Sequence, residues 1–369
     1  MVQLSLRSLK ISHFRTHKLS VIEPTNEPIV LYGLNGAGKT NVLEAISMFA
    51  PGQGFRRAKF SELSRRPDML GWKLTGEFIV GDHSYVVTTS WDEKLGRKIT
   101  IDDKRATQSA LASLLRILWI TPSMDRIWLN GSAERRRFLD RIVSNIVPEH
   151  TENCINYYKA LKQRNKLIKE KVTDTNWYDA VENQMALSGV EIDRARSKVI
   201  NDIMEMQKKS VSYFPVADLD IVGPKYLSAQ EFQFALSNKR KQDVLVGRTL
   251  IGPHLSDLVA IYSSKGIDAK NCSTGEQKAL LISIIIATAK IELELFQTPP
   301  ILLFDEVSAH LDAERRSILY DELYKLNLQV FLTGTDINTF NELKERAKYY
   351  EVLLNIDESI CMLVDYPSV

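Results

Sequence analysis

Residues Gly33 to Thr40 read GLNGAGKT, matching the pattern G-x-x-x-x-G-K-[ST]. That spacing suits one task, holding a polyphosphate: glycines let an anion approach closely, and the following helix offers free N–H groups at its positive end. In this assignment Gly33, Asn35, Gly36, Ala37 and Gly38 form the cradle, and Asn41 continues it into the helix. Lys39 reaches the β- and γ-phosphates, and the Thr40 hydroxyl binds Mg²⁺. A second constellation is the carboxylate pair Asp305 and Glu306, delivered by the apolar run Ile301 to Phe304. Asp305 suits Mg²⁺ held through water, and Glu306 suits polarising the water that attacks a γ-phosphate. A third is CSTGEQK, Cys272 to Lys278, which places Ser273 and Gly275 at a helix start. Alone, that arrangement serves as readily as a helix cap. Together these residues point to a nucleoside triphosphate and its hydrolysis.

Elements of the right kind surround each group. PIVLY (Pro28 to Tyr32) predicts a buried strand before the glycine loop, and NVLEAISMF (Asn41 to Phe49) a helix after it. QLSLRSLKISHF alternates as a strand ending near Phe14, and WKLTGEFIV, SYVVTTSW and KITID are spaced as an antiparallel meander. A helix near Gln108 to Arg116 leads into the strand ILWIT. From Ser132 to about Gln207 the pattern is helical, with Ile155, Tyr158, Leu161, Asn165, Ile168 and Val172 recurring in a first helix. TDTN (Thr173 to Asn176) breaks that helix from a second. Strand patterns return as TLIG, LVAIYS, PILLF, LQVFL and YYEVLL, with helices at Thr274 to Phe296 and Asp312 to Leu326. The expected fold is α/β, a mixed sheet assembled from both ends of the chain with an antiparallel meander, plus an inserted, mainly helical lobe. The expected organisation is residues 1–130 and 244–369 in the nucleotide-binding part and 131–243 in the lobe.

Composition narrows the classes. With 44% hydrophobic and 25% charged residues the chain is an ordinary globular one, so disorder is not expected. Cys154, Cys272 and Cys361 lie far apart with no C-x-x-C pair, which argues against a zinc site or a disulfide framework. No signal-peptide layout opens the chain, and ALLISIIIATA is too short to cross a bilayer, so we expect a cytoplasmic protein with no membrane partner. His13, His254 and His310 lack metal-ligand spacing, and Trp119, Trp128 and Trp177 are expected in cores. Net charge is only +2, but Arg126 to Lys171 holds 11 Lys/Arg against 5 Asp/Glu. That local excess makes Arg135, Arg136, Arg137, Arg141, Lys159, Lys162 and Arg164 candidate DNA contacts, with Arg56 in the basic loop GQGFRRAKF as another.

Taken in order, the P-loop, S-x-G-[EQ], apolar-Asp-Glu and S-x-x-L-D ending at Asp312 resemble the ATP-binding-cassette pattern. There the S-x-G serine is offered to a γ-phosphate bound on a second subunit, so Ser273 and Gly275 would act across an ATP-dependent homodimer, with Asp312 nearby. Over nearly the whole chain the sequence resembles the RecF family of bacterial DNA-repair ATPases, relatives of chromosome-maintenance heads. The resemblance rests on LKISHFR, GLNGAGKTNVLEAI, GFR, RRRFLDRIV, YYKALKQRN, GPHLSDL, STGEQK, ILLFDEVSAHLD and QVFLTGTD. It implies an ATPase head that binds ATP and Mg²⁺ and grips double-stranded, gapped or junction DNA. It also implies partnership with RecR, and through it RecO, in loading recombinase. Departures are Leu255 and Ser256, where the family often has Arg and Asp, and Thr335 and Asp336, where transporter ATPases carry a switch histidine. The competing classes are a transporter's energy-coupling subunit and a nucleotide-sensing scaffold without turnover.

Overall fold

The computed structural model describes residues 4–210, 213–307 and 311–366. In chain order the elements are β1 (Leu4–Phe14), β2 (His17–Ile22), β3 (Ile29–Tyr32), α1 (Lys39–Ser47), β4 (Trp72–Val80), β5 (His83–Asp92), β6 (Gly96–Ile101), β7 (Lys104–Arg105), α2 (Gln108–Leu114) and β8 (Ile117–Ile120). Then come α3 (Ser132–Ile146), α4 (Glu149–Lys169), α5 (Thr175–Lys209), β9 (Ala217–Val222), α6 (Ala229–Val246), β10 (Asp257–Tyr262), β11 (Ile267–Asp268) and α7 (Thr274–Phe296). The last are β12 (Ile301–Phe304), α8 (Ala313–Lys325), β13 (Val330–Gly334), β14 (Lys348–Asn355) and β15 (Glu358–Val364). Backbone proximity divides the chain into a first unit, Met1–Asp125 with Ile285–Val369, and a second unit, Arg126–Ile284.

The first unit holds two sheets. One runs β15-β14-β3-β13-β12-β8, parallel except for the terminal hairpin, so β3 from the start of the chain lies between β13 and β14 from its end. The other, β2-β1-β4-β5-β6-β7, is antiparallel and contains the meander the sequence predicts. Ile29, Val30 and Leu31 of β3 and all four residues of β12 are buried, as strands covered on both faces must be. Helix α1 is enclosed nearly all round: Val42, Leu43, Ala45 and Ile46 join the core, each large side chain stabilising by about 1.5–3 kcal/mol. Its buried Glu44 is compensated by a bidentate pair with Arg15 (2.8 Å to each oxygen) and by Arg56 (3.3 Å).

The second unit departs from the expected boundary at 243/244. β10 pairs antiparallel with β9 and β11 in a small sheet of its own rather than joining the nucleotide-binding sheets, so the stretch to Ile284 belongs here. TLIG is irregular and not a strand: the Thr249 N–H and hydroxyl both donate to Asn165 Oδ1 (2.8 Å), and the Leu250 N–H donates to Asp243. Asp174, in the predicted break, caps α5 by accepting from the Asn176 N–H. The expected stripe on α4 is rotated: Tyr157, Ala160, Leu161 and Ile168 pack inward, while Ile155 and Tyr158 face solvent. Trp177 is 62% exposed, against expectation, since in the first turn of α5 it is the neighbouring Tyr178 that turns inward; Trp119 and Trp128 are buried as expected.

Candidate nucleotide site

The glycine loop leaves β3 with Gly33 at φ +145°, Gly36 at +82° and Gly38 at +107°, a region other residues enter only with strain. Close approach adds a second reason at Gly33, where a Cβ would come within 2.3 Å of the Val352 carbonyl oxygen. Gly38 caps α1 with no side-chain hydrogen bond, so the helix's first N–H groups are left for an incoming anion. Asn35 and Gly36 are exposed at the loop's crest, and Ala37 is buried beneath it. The Lys39 ammonium folds back to donate to the Gly33 and Leu34 carbonyls (2.7 and 2.9 Å). Burial lowers its pKa, and the charges of Glu306 and Asp305 work against that shift. Asn41 braces the loop from the side, donating to Thr16 Oγ1 (2.8 Å) and accepting from Arg56 (3.0 Å). His17 supports the loop's end. Its Nε2 meets the Gly38 carbonyl, which can only accept, so that nitrogen carries the proton; burial lowers the His17 pKa.

β12 ends beside this loop. Thr40 Oγ1 donates to Asp305 Oδ1 at 2.9 Å, so the helix hydroxyl and the strand carboxylate stand close enough that one cation could be held by both. These oxygen donors fit Mg²⁺. Burial raises the Asp305 pKa, while hydrogen bonds from Thr333 and Thr40 favour its charged form. Glu306 follows at φ +49°, a left-handed conformation for a non-glycine residue, where the chain turns out of the sheet. Thr333 on β13, within the QVFLTGTD stretch but given no role by the sequence, donates to Asp305 Oδ1 (2.8 Å) and accepts the Glu306 N–H (2.9 Å). Asp336 spends its carboxylate on the Asn338 N–H and side chain, and Thr335 is exposed.

The match of residues 5–355 to the RecF/RecN/SMC N-terminal domain family agrees with this geometry. The DNA replication and repair protein RecF of Mesorhizobium japonicum is 37% identical over 365 residues, 95% of this chain and 96% of that protein. RecF of Brucella suis is 38% identical, covering 95% of each chain. The chain belongs to the RecF family. Among solved structures, the recombination mediator protein RecF with ATP, in the RecFOR pathway, superposes with a TM-score of 0.83 at 21% identity, covering 99% of this chain and 100% of that one. An Smc head domain from Pyrococcus furiosus follows at 0.57 and 16%, covering 98% and 97%. Those likenesses establish the RecF head fold, a mixed α/β ATPase head.

In the second unit, Ser273 is exposed at the start of α7. It forms a reciprocal cap with Glu276. The Ser273 N–H and hydroxyl both donate to Glu276 Oε2 (2.9 Å), and the Glu276 N–H donates to Ser273 Oγ (3.4 Å). Lys265 pairs with the same carboxylate and, with the Ser273 bonds, pushes its pKa down to about 2. Gly275 is half-buried beside it. Asp312, in the first unit, caps α8 by accepting from the Arg315 N–H (2.8 Å). Ser308 and His310 lie outside the described residues.

The basic candidates separate by burial. Arg164 is fully buried, donating to Glu182 (2.9 Å), Asp243 (2.6 Å), Thr249 and the Leu236 carbonyl, so it holds α4, α5 and α6 together and cannot reach DNA. Arg135 grips Asp257 with two bonds (2.7 and 2.8 Å), and Arg136 donates to the Ser256 carbonyl (2.6 Å); both fasten α3 to the start of β10. Arg141 lies over the Phe138 ring, and burial lowers its pKa to about 9. Arg164, and Arg135 with its donors spent on Asp257 and loop carbonyls, are corrected from DNA contacts to structural residues, because a charge run on a packed helix must put part of itself inside; Arg136 and Arg141 are half-buried. Arg137, Lys159 and Lys162 remain exposed, and Arg56 is exposed but committed to Asn41 and Glu44. Lys166 and Lys169 were missed; with Lys159 and Lys162 they form an exposed ridge along α4 at spacings that share one helix face. Ser256, one of the departures from the family pattern, makes a polar contact, accepting from the buried Arg196 (2.9 Å). Asp140, His150 and Cys154 cluster at metal-ligand spacing, but Arg196 already holds both Asp140 oxygens (2.7 and 2.9 Å), which neutralises the site without a metal.

Proposed function

We propose that this chain is an ATP-switched DNA-binding protein of recombinational repair and replication-fork recovery. The observation that carries this reading is the convergence of Lys39, Thr40, Asp305 and Glu306 on one glycine-loop site, with Ser273 exposed at a separate helix start. Residues Gly33 to Asn41 bind the triphosphate, and Lys39 exchanges its loop carbonyls for phosphate oxygens. Thr40 and Asp305 would hold Mg²⁺, which would supply positive charge to the phosphates. Glu306 holds the attacking water in line with the γ-phosphate.

Ser273 and Gly275 of one copy close over the nucleotide of the other, with Asp312 as a further residue at that nucleotide, so ATP joins two copies and hydrolysis releases them. For that, the Ser273 hydroxyl must turn from Glu276 to the phosphate. The joined pair grips duplex DNA near single-strand junctions through backbone phosphates, with Lys159, Lys162 and Arg137 as contacts. RecR, with RecO, is the proposed partner in loading recombinase, in the cytoplasm and as part of the response to DNA damage. Turnover is slow and stimulated by DNA, consistent with the absence of a histidine at Thr335 or Asp336. The RecF structure solved with ATP in the RecFOR pathway supports the nucleotide and the pathway.

Sedimentation with ATP tests the reading on wild type, Glu306→Gln and Ser273→Arg. We expect ATP-dependent dimers for the first, longer-lived ones for the second, and ATP binding without dimers for the third. Normal dimers from Ser273→Arg would remove the role across the interface.

A further inference from the structure

One hydroxyl group joins the two carboxylate residues of the proposed hydrolytic site. Thr333 is 1% exposed and sits on β13, the strand between β12 and β3. A threonine hydroxyl has one proton to give. Here it goes to Asp305 Oδ1 at 2.8 Å, leaving the oxygen to accept the Glu306 N–H at 2.9 Å. The second bond is unusual in its place. The Asp305 N–H still bonds to the Ile120 carbonyl as the parallel ladder requires, but at Glu306 a side chain stands in for the backbone acceptor. That is the residue where the chain enters φ +49° to leave the sheet. A left-handed glutamate costs on the order of 1–3 kcal/mol and persists only if its surroundings hold it. Asp305 Oδ1 receives two donors, Thr40 from the nucleotide loop's helix and Thr333 from the neighbouring strand, which fixes the carboxylate's rotation.

We infer that Thr333 is a positioning residue for ATP hydrolysis, setting the Asp305 carboxylate for Mg²⁺ and the Glu306 backbone for the attacking water through the same hydroxyl. The inference rests on the ATPase reading above and adds a residue to it. Thr333 is buried, and its hydroxyl is already committed to Asp305 and to the Glu306 N–H. Its contribution is therefore to turnover and metal use, and not to nucleotide affinity.

Thr333→Ser and Thr333→Ala both remove the methyl group, and only the alanine removes the hydroxyl. In the full chain, kcat for ATP in Thr333→Ala should fall at least about tenfold below Thr333→Ser, as expected when a reacting group is misplaced by a fraction of an ångström. The Mg²⁺ concentration for half-maximal rate should rise in the alanine variant alone, while ATP affinity measured without Mg²⁺ stays within about twofold across both. Equal kcat and equal Mg²⁺ dependence in the two variants would overturn the inference. So would a matched fall in both, which would assign the effect to the methyl group and packing. Glu306→Gln, measured alongside, separates the layers. If it hydrolyses ATP at the wild-type rate, the ATPase assignment itself fails; if it is inactive while Thr333→Ala and Thr333→Ser are alike, only the role of Thr333 fails.

Discussion

Replacing Arg164 by methionine separates a structural arginine from a DNA contact, because the two roles fail differently. The guanidinium is fully buried and serves Glu182 at 2.9 Å, Asp243 at 2.6 Å, Thr249 and the Leu236 carbonyl. Methionine fills most of the volume but leaves two buried carboxylates without that cation, and breaking one side of such a network costs about 3–5 kcal/mol. Residual partners pull the figure toward the lower end: Glu182 keeps Arg240, and Asp243 keeps the Leu250 N–H at 3.1 Å. Taking about 3 kcal/mol and a urea slope near 2 kcal/mol per molar, the unfolding midpoint of the second unit should fall by about 1.5 M. Urea titration followed by helical circular dichroism reads this, since α3 to α6 dominate that unit. Adding Glu182→Gln and Asp243→Asn to the same chain should recover part of the loss, because no unpaired charge then remains buried. An Arg164→Met chain with an unchanged midpoint and weakened DNA affinity would refute the reasoning and put Arg164 back among the phosphate-binding residues.

Lys39→Ala should abolish ATP binding in equilibrium dialysis and also loosen the empty loop, whose Gly33 and Leu34 carbonyls lose their donor; retained affinity would displace the site. Burial raises the Asp193 pKa to about 6, with Arg196 opposing. The folded state therefore favours its proton: the stabilisation is complete below the unfolded value near 4 and is lost as pH rises through about 6. Asp193→Asn should thus raise the unfolding midpoint at about pH 7.5, by about 2–3 kcal/mol of stability, and leave it unchanged near pH 3.5; equal gains at both would show that burial of the charge is not the cause. Alanines placed at Lys159, Lys162, Lys166 and Lys169 should lower the slope of log affinity against log salt by about 0.9 for every phosphate no longer neutralised. Anisotropy titrations on a junction duplex measure it, and four alanines with an unchanged slope would clear the α4 ridge of any part in DNA binding.

The site was legible where chemistry is written as consecutive residues. A glycine loop between a strand and a helix, and two acids after four apolar residues, each announce a local backbone shape as well as a function. The meander was legible for the same reason, since short turns leave few ways to pair. Thr333 was not, because its partners are 27 and 28 residues away and a threonine in a buried strand looks like any β-branched filler. Nor was the inward turn of Arg164, whose side-chain acceptors Glu182, Asp243 and Thr249 all lie beyond its own helix. A helix with a neighbour on one side hides one stripe, but α4 is packed by both α5 and α6, and composition does not reveal the second neighbour. β9 and α6 were not expected: β9 is a short strand, and on α6 Phe232 and Leu236 turn into a small local core while Phe234, Leu245 and Val246 face solvent, which blurs the helical period.

The position of β3 bears on how the protein is made. Its hydrogen-bonding neighbours are Val330–Gly334 and Lys348–Asn355, about 300 residues downstream. At roughly 5–20 residues per second a ribosome needs about 15–60 s to supply them. Throughout that interval the phosphate loop hangs from a strand with both edges bare. The cradle that the loop forms beside Asp305 can therefore be completed only after β12, β13 and β14 have been made.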